Sequence, residues 1–232
     1  MPNKVVHFKS IGPVTFFRNR RSKNMKISVK PDKSVLVSYP FFVSEREILS
    51  FLAQNEAWII RQQEKAETKR KPITEGDILK TKLHTIEFST SNVPKLSVKG
   101  KSITFYSPDF QNSKVQAAIE ELLTKIYRKE AHLLLPDRLK KLASEHGFCF
   151  SNISIRNNRR NWGSCSSRNN ISLNLQMMKL PDHLIDYILL HELVHTEIKD
   201  HSDRFWNRLD QLTQNRARDL AKQVKKFSTY TL

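Results

Sequence analysis

The sequence predicts an α+β chain, with a β-rich N-terminal half and a mixed C-terminal half. Three observations carry this. Short β-type runs crowd the first forty residues. A long stretch opening at Ser113 places Val115, Ile119, Leu122, Leu123 and Ile126 on one helical face. Beyond it, strand-like runs give way to further helical segments. At 232 residues the chain suits one large domain or two small ones. The reading divides it into a β-rich domain over 1–110 and a second domain over 111–232, with Pro108–Ser113 as the linker.

The elements follow in order. Val5–Phe8, Val14–Phe17, Met25–Val29 and Val35–Tyr39 read as strands, and Pro31-Asp32 reads as a turn between the last two. Ser44 and Glu47 have capping-box spacing. They open one long helix over about 44–71 that carries Ile48, Leu52, Trp58 and Ile59 and stops at Pro72. Leu83–Phe88, Lys95–Val98 and Ser102–Tyr106 form a second strand set. In the helix from Ser113, Pro136 kinks or divides the run, and Gly147 suits the position just past its end. Ile153–Arg156 and Ile171–Leu175 read as strands joined by a polar loop. Pro181-Asp182 starts a helix bearing Leu184, Ile188 and Leu189, and a last helical region covers Phe205 to about Lys226. No repeat of 20 to 50 residues stands out.

Composition narrows the classes. No apolar run approaches the roughly 20 residues of a membrane helix, and Met1-Pro2-Asn3-Lys4 lacks a signal-peptide core. Cys149 and Cys165 cannot build a disulfide framework, so a reducing cytoplasm is expected. Forty Lys and Arg against 23 Asp and Glu give a net charge of +17. That balance suits polyanions, including nucleic acid or nucleotides, yet charge alone supplies only non-specific affinity.

The chemistry concentrates at His191-Glu192-Leu193-Val194-His195. Residues four apart share a helix face, so two imidazoles can converge on one metal ion. Glu192, next to the first of them, is placed to act as general base on a zinc-bound water. His201 lies six residues beyond His195, within reach of a short turn, and Glu197 and Asp203 are its rivals as third ligand. Three histidines leave one open position, as a catalytic zinc needs; structural sites are closed by four protein ligands. Cys165 as a nucleophile would need a partnered histidine, and the metal motif explains the histidines better.

HELVH followed by HSDRFW resembles the YgjP-like metal-dependent hydrolases, relatives of the SprT-like zinc metallopeptidases. Trp162-Gly163-Ser164-Cys165-Ser166-Ser167, Ile171–Asn174, Ile185-Asp186-Tyr187 and the run from Arg21 to Pro40 match the same pattern, so the resemblance spans nearly the whole chain. It implies a zincin-like catalytic domain with a small sheet packed against the HExxH helix. It implies His191, His195 and His201 as zinc ligands and Glu192 as base; a peptide or protein substrate is the leading expectation. In such enzymes a peptide adds to a sheet edge upstream of the metal helix, here Trp162–Cys165 or Ile171–Leu175.

Arg156, Arg159 and Arg160 crowd the loop before that edge with no acidic residue among them. They stand, with Trp162, Gly163 and Ser164, as substrate-binding candidates, since guanidinium pairs well with anions. The leading expectation is a zinc metallopeptidase. Two other readings stay open: a metal-dependent nucleoside triphosphate hydrolase, and a DNA-associated protease or nucleic-acid-binding module with a structural zinc.

Overall fold

The computed structural model describes residues 4–30, 33–68 and 72–230, the side chains of 4 and 65–68 excepted. The expected turn at Pro31-Asp32 lies outside the described residues, as does the end of the expected helix at 69–71. The chain forms two compact units, residues 1–71 and 72–232.

The first unit holds β1 (Lys4–Phe8), β2 (Gly12–Arg18), β3 (Lys26–Val29), β4 (Val35–Tyr39), α1 (Glu45–Gln54) and α2 (Glu56–Thr68). Its sheet runs β1-β2-β4-β3, with β2 and β4 parallel and both outer pairs antiparallel. Strand alternation sends Val14, Phe16, Val35 and Val37 to one face, where Ile48 and Leu52 of α1 and Ile59 of α2 complete the core. The capping box forms as the spacing predicts: Glu47 N–H donates to Ser44 Oγ at 3.3 Å, and Ser44 N–H donates to Glu47 Oε2 at 2.8 Å. The single helix expected over about 44–71 is instead two. Asn55 ends the first by turning its Nδ2 back onto the Phe51 carbonyl, 2.8 Å away. Its own carbonyl then receives Ile59 N–H at the start of the second.

The second unit opens with β5 (Ile78–Lys80), β6 (Thr85–Thr90), β7 (Lys95–Lys99) and β8 (Ser102–Ser107). They repeat the first topology: order β5-β6-β8-β7, parallel in the centre, antiparallel outside. In both sheets a proline follows the last strand, and the cap of the next helix lies four residues on: Pro40 and Ser44, then Pro108 and Asn112. The boundary expected near 110 therefore differs from the compact division at 71/72. The reason is packing. Ile86, Phe88, Ile103 and Phe110 share one core with Ile119 and Leu123 of α3 (Ser113–His146). Glu130, fully buried on α3, accepts from Thr81 Oγ1 at 2.5 Å, from the Lys82 and Leu83 amides at 3.1 Å, and meets His84 Nδ1 at 2.7 Å. These bonds tie the β5–β6 turn to the helix. Pro136 leaves α3 undivided, with Leu135 and Leu139 buried on either side of it.

Beyond α3, capped by left-handed Gly147, come β9 (Asn152–Arg156), β10 (Gly163–Cys165) and β11 (Asn170–Asn174). They form a three-stranded sheet ordered β10-β11-β9, antiparallel then parallel, with β10 at an edge. A 3₁₀ segment (Leu175–Lys179) leads into α4 (Asp182–Val194), α5 (Asp203–Leu212) and α6 (Ala217–Val224). The last helical region is thus two helices. Gln214 and Asn215 at positive φ break it, and Asp210 Oδ1 accepts from Ala217 N–H at 2.9 Å across the break. Among the described residues no helix is long and apolar enough to cross a membrane.

Candidate metal centre

α4 is apolar on nearly all sides. Leu184, Ile185, Ile188, Leu189, Leu190, Leu193 and Val194 are all buried, as expected of a helix enclosed by its own domain. His191 and His195 stand one turn apart on it. The helix ends at Val194, and Thr196 N–H and Oγ1 both donate to the Leu193 carbonyl. Ile198 buries itself in the following turn, and the chain comes back at His201, just ahead of α5.

That turn brings three ring nitrogens together. The Nε2 atoms of His191, His195 and His201 stand 3.2 Å from one another in all three pairs. A closed triangle of three imidazole nitrogens is poorly served by hydrogen bonding among themselves. It does suit lone pairs aimed at one cation: ligands about 2.0–2.1 Å from a tetrahedral zinc lie about 3.3 Å apart. His195 Nδ1–H donates to the Ile198 carbonyl at 2.9 Å, which leaves Nε2 as the acceptor. Burial, then the two neighbouring imidazoles, pushes His191 down to about 3, so its ring is neutral across the physiological range. Burial also lowers His195, opposed by the Ile198 hydrogen bond.

Phe205 is the centre of this cluster. It is fully buried on α5, stacked on the His195 ring at 4.5 Å and edge-on to His191 and His201 at 4.8 Å each. It follows His201 by four residues, one helical turn, and fixes all three rings at once. In the sequence it stood out only as part of HSDRFW and as the start of the last helical region.

Glu192 is 4% exposed, and its Oε2 has no hydrogen-bond partner among the described residues. Burial pushes its carboxyl up to about 8. A dication at the histidine triad would draw it back down, by stabilising the carboxylate. Gly163 makes room for it. A Cβ there would sit 2.6 Å from Glu192 Oε1 and 2.7 Å from its Cγ, so any other residue displaces the carboxylate. This close approach brings α4 and the edge strand β10 together and gives the glycine of WGSCS a physical reason.

A cleft of about 490 Å³ opens beside these groups. Trp162, Gly163, Ser164 and Cys165 line it together with all three histidines and Glu192. So do Tyr187 and Ile188, one turn earlier on α4. Burial, then the charges of Asp210 and Glu192, raises the Tyr187 phenol to about 12. Arg156, Arg159 and Arg160 are exposed and absent from the lining. Arg156 ends β9, and Arg159 lies over the Tyr230 ring at 5.8 Å. The loop they occupy is shaped by Asn174, a buried residue that the sequence singled out only inside the Ile171–Asn174 match. Its Nδ2 donates to the Asn158 and Asn161 carbonyls at 2.5 and 2.8 Å. Of the rival ligands, Glu197 lies 3.7 Å from Arg208, and Asp203 is exposed in the first turn of α5. Burial raises the Cys165 thiol, opposed by Lys199, whose Nζ donates to its Sγ at 3.8 Å.

No curated protein matches the sequence. Solved structures that match include two metallopeptidase zymogens. One is jannalysin of Methanocaldococcus jannaschii, 25% identical, covering 39% of this chain and 93% of that one at a TM-score of 0.35. The other is abylysin of Pyrococcus abyssi, 22% identical, covering 40% and 95% at 0.37. The family model described as YgjP-like, metallopeptidase domain, matches residues 23–227, nearly the whole chain, and the protein belongs to that YgjP-like metallopeptidase family.

Proposed function

We propose that this protein is a zinc metallopeptidase in which His191, His195 and His201 hold the metal and Glu192 is the general base. The observation that carries the reading is the 3.2 Å triangle of Nε2 atoms with a buried carboxylate beside it. Three imidazole nitrogen donors suit zinc better than magnesium or calcium, which prefer oxygen. Zinc, when bound, supplies Lewis acidity that polarises a carbonyl and acidifies water.

The chain's own residues supply the rest. Glu192 takes the proton of the attacking water at its carboxylate and returns it to the leaving amine. Its low exposure keeps bulk water from competing for that proton. Gly163 lets the carboxylate reach its place. β10, with one edge unpaired by any strand of its sheet, is suited to receive a substrate backbone by strand addition. A small sheet with such an edge, against the metal-bearing helix, supports a zincin-like reading of this half.

Of the cleft-lining residues, Glu192 alone is a carboxylate. Phosphoryl chemistry that relies on carboxylate-held magnesium finds no cage there, and the arginines proposed to bind anions lie off the lining. Peptide hydrolysis is the reading the geometry supports best.

The test is elemental analysis of zinc per chain, without chelator or histidine tag, alongside cleavage of a quenched peptide library. Close to one zinc per chain is expected, mostly lost in His201→Ala. Glu192→Gln is expected to keep its zinc and lose about 10²–10⁴-fold in cleavage, the usual worth of a positioned proton carrier. Gly163→Ala is expected to do the same more mildly. A chain that takes up no zinc when zinc is offered overturns the reading.

A further inference from the structure

We propose that the α6 side of the cleft recognises a bulky apolar side chain of the substrate flanked by a carboxylate. This rests on the peptidase reading and names its substrate class. Ile188, one turn before Glu192, and Ala221 and Val224 of α6 give the cleft an apolar wall close to the general base. Ile188 and Val224 are both buried, so the wall is part of the domain core rather than a mobile flap.

Lys225, the residue after α6, is exposed at the rim of that wall. Its ammonium makes no ion pair among the described residues. The other cations nearby are committed. Lys199 Nζ donates to the Ser166 carbonyl at 3.0 Å and to Asn169 Oδ1. Arg218 lies over the Trp206 ring at 4.6 Å. The single lining carboxylate, Glu192, is buried, so an acidic substrate group at the rim meets a cation and no exposed acid.

The wall is preformed. Past α6 the chain is tied down on two sides. Lys179 Nζ donates to the Ser228 carbonyl at 2.9 Å and to that of Tyr230. Thr229 Oγ1 donates to the Arg159 carbonyl at 2.7 Å, and the Arg159 guanidinium covers the Tyr230 ring. Arg159 therefore anchors the segment that follows α6, outside the cleft lining. A rigid apolar pocket with one placed polar group is what gives a ligand orientation as well as affinity.

The test uses the full-length, zinc-loaded Glu192→Gln protein, which leaves peptides intact, and reads binding by fluorescence anisotropy. The probes share one backbone and carry Leu-Glu, Ser-Glu, Leu-Gln or Leu-Lys. A further pair carries Leu at the last position, with a free or an amidated C-terminus. Leu-Glu is expected to bind about tenfold tighter than Ser-Glu, the scale on which an apolar pocket discriminates. It is expected to bind a few-fold tighter than Leu-Gln, and Lys225→Glu is expected to reverse the order of Leu-Glu and Leu-Lys. The C-terminal pair distinguishes a side-chain carboxylate from a chain terminus as the source. An unchanged Leu-Glu to Leu-Lys ratio in Lys225→Glu overturns the proposal, as does failure of every peptide to bind. Cleavage by the wild-type chain is read separately. Selective binding without cleavage leaves the recognition and removes the peptidase reading; cleavage without selectivity does the reverse.

Discussion

The two four-stranded sheets have the same strand order and the same parallel centre, yet they serve different ends. In the first, the inner pairs Val14–Val35 and Phe16–Val37 meet two short helices, and the core among the described residues is eight buried side chains. In the second, the matching pairs Ile86–Ile103 and Phe88–Phe105 lie under a 34-residue helix. Their core runs on without interruption through the three-stranded sheet to α4 and Phe205. The charge differs too. Residues 1–71 carry +9 from 15 basic and 6 acidic residues; residues 72–232 carry +8 from 25 and 17. A topology is thus no guide to role. What fits the second sheet to support a metal site is continuity of packing, since close-packed interiors transmit position and resist displacement. The first sheet has little core and much charge, so it is expected to be the less stable of the two.

The sharpest test sets the two sheets against each other. Phe88→Ala is expected to cost about 3–5 kcal/mol and to lower zinc retention with it. Val37→Ala is expected to cost about 1–3 kcal/mol and to leave zinc and cleavage unchanged. Urea titration with metal analysis reads both, and equal effects on zinc would break the contrast. Next is Glu130, which has no counterpart on α1. Glu130→Ala strands two amides, the Thr81 hydroxyl and a histidine, and is expected to cost about 2–3 kcal/mol. The loss should appear in the unfolding of the second unit alone.

The helix caps should behave alike. Ser44→Ala and Asn112→Ala each remove a side-chain acceptor and are expected to cost about 1 kcal/mol. A large inequality would mean the two strand-to-helix junctions differ more than their shared spacing implies. The smallest effect is a pH dependence. Asp182, in the first turn of α4, is held below its usual 3.8 by the Lys82 ammonium, 2.6 Å away, and by Arg138. A depressed carboxylate stabilises the fold fully above 3.8, and that contribution fades as pH falls through the lowered value. Because Asp182 is two-thirds exposed, about 0.5 kcal/mol is expected in low salt and less in high salt. Denaturant midpoints from pH 5 to 2, with Asp182→Asn as reference, measure it.

Much of the site was legible in the sequence because its spacing is local. His191 and His195 share a face by helix geometry alone, and His201 needed only a short return. The capping box at Ser44 was local in the same way. The duplicated sheet was not, because it is written in pairing order while the side chains that satisfy it differ: Val14 and Phe16 in one, Ile86 and Phe88 in the other. Nor was the boundary at 71/72. Pro108–Ser113 reads as a linker, but Phe110 inside it is buried against Phe88 and Phe105.

The sequence by itself determined the α+β class, most strands and helices, and the His-Glu-His constellation. Each depends on periodicity within a few turns of chain. Only the tertiary structure decided that Gly163 yields space to Glu192, that Phe205 holds three imidazoles, and that Arg159 ties down Thr229 and Tyr230 outside the cleft lining. Those facts join residues 29, 14 and 70 positions apart. Contacts at such separations are set by how whole elements pack, which no local pattern encodes.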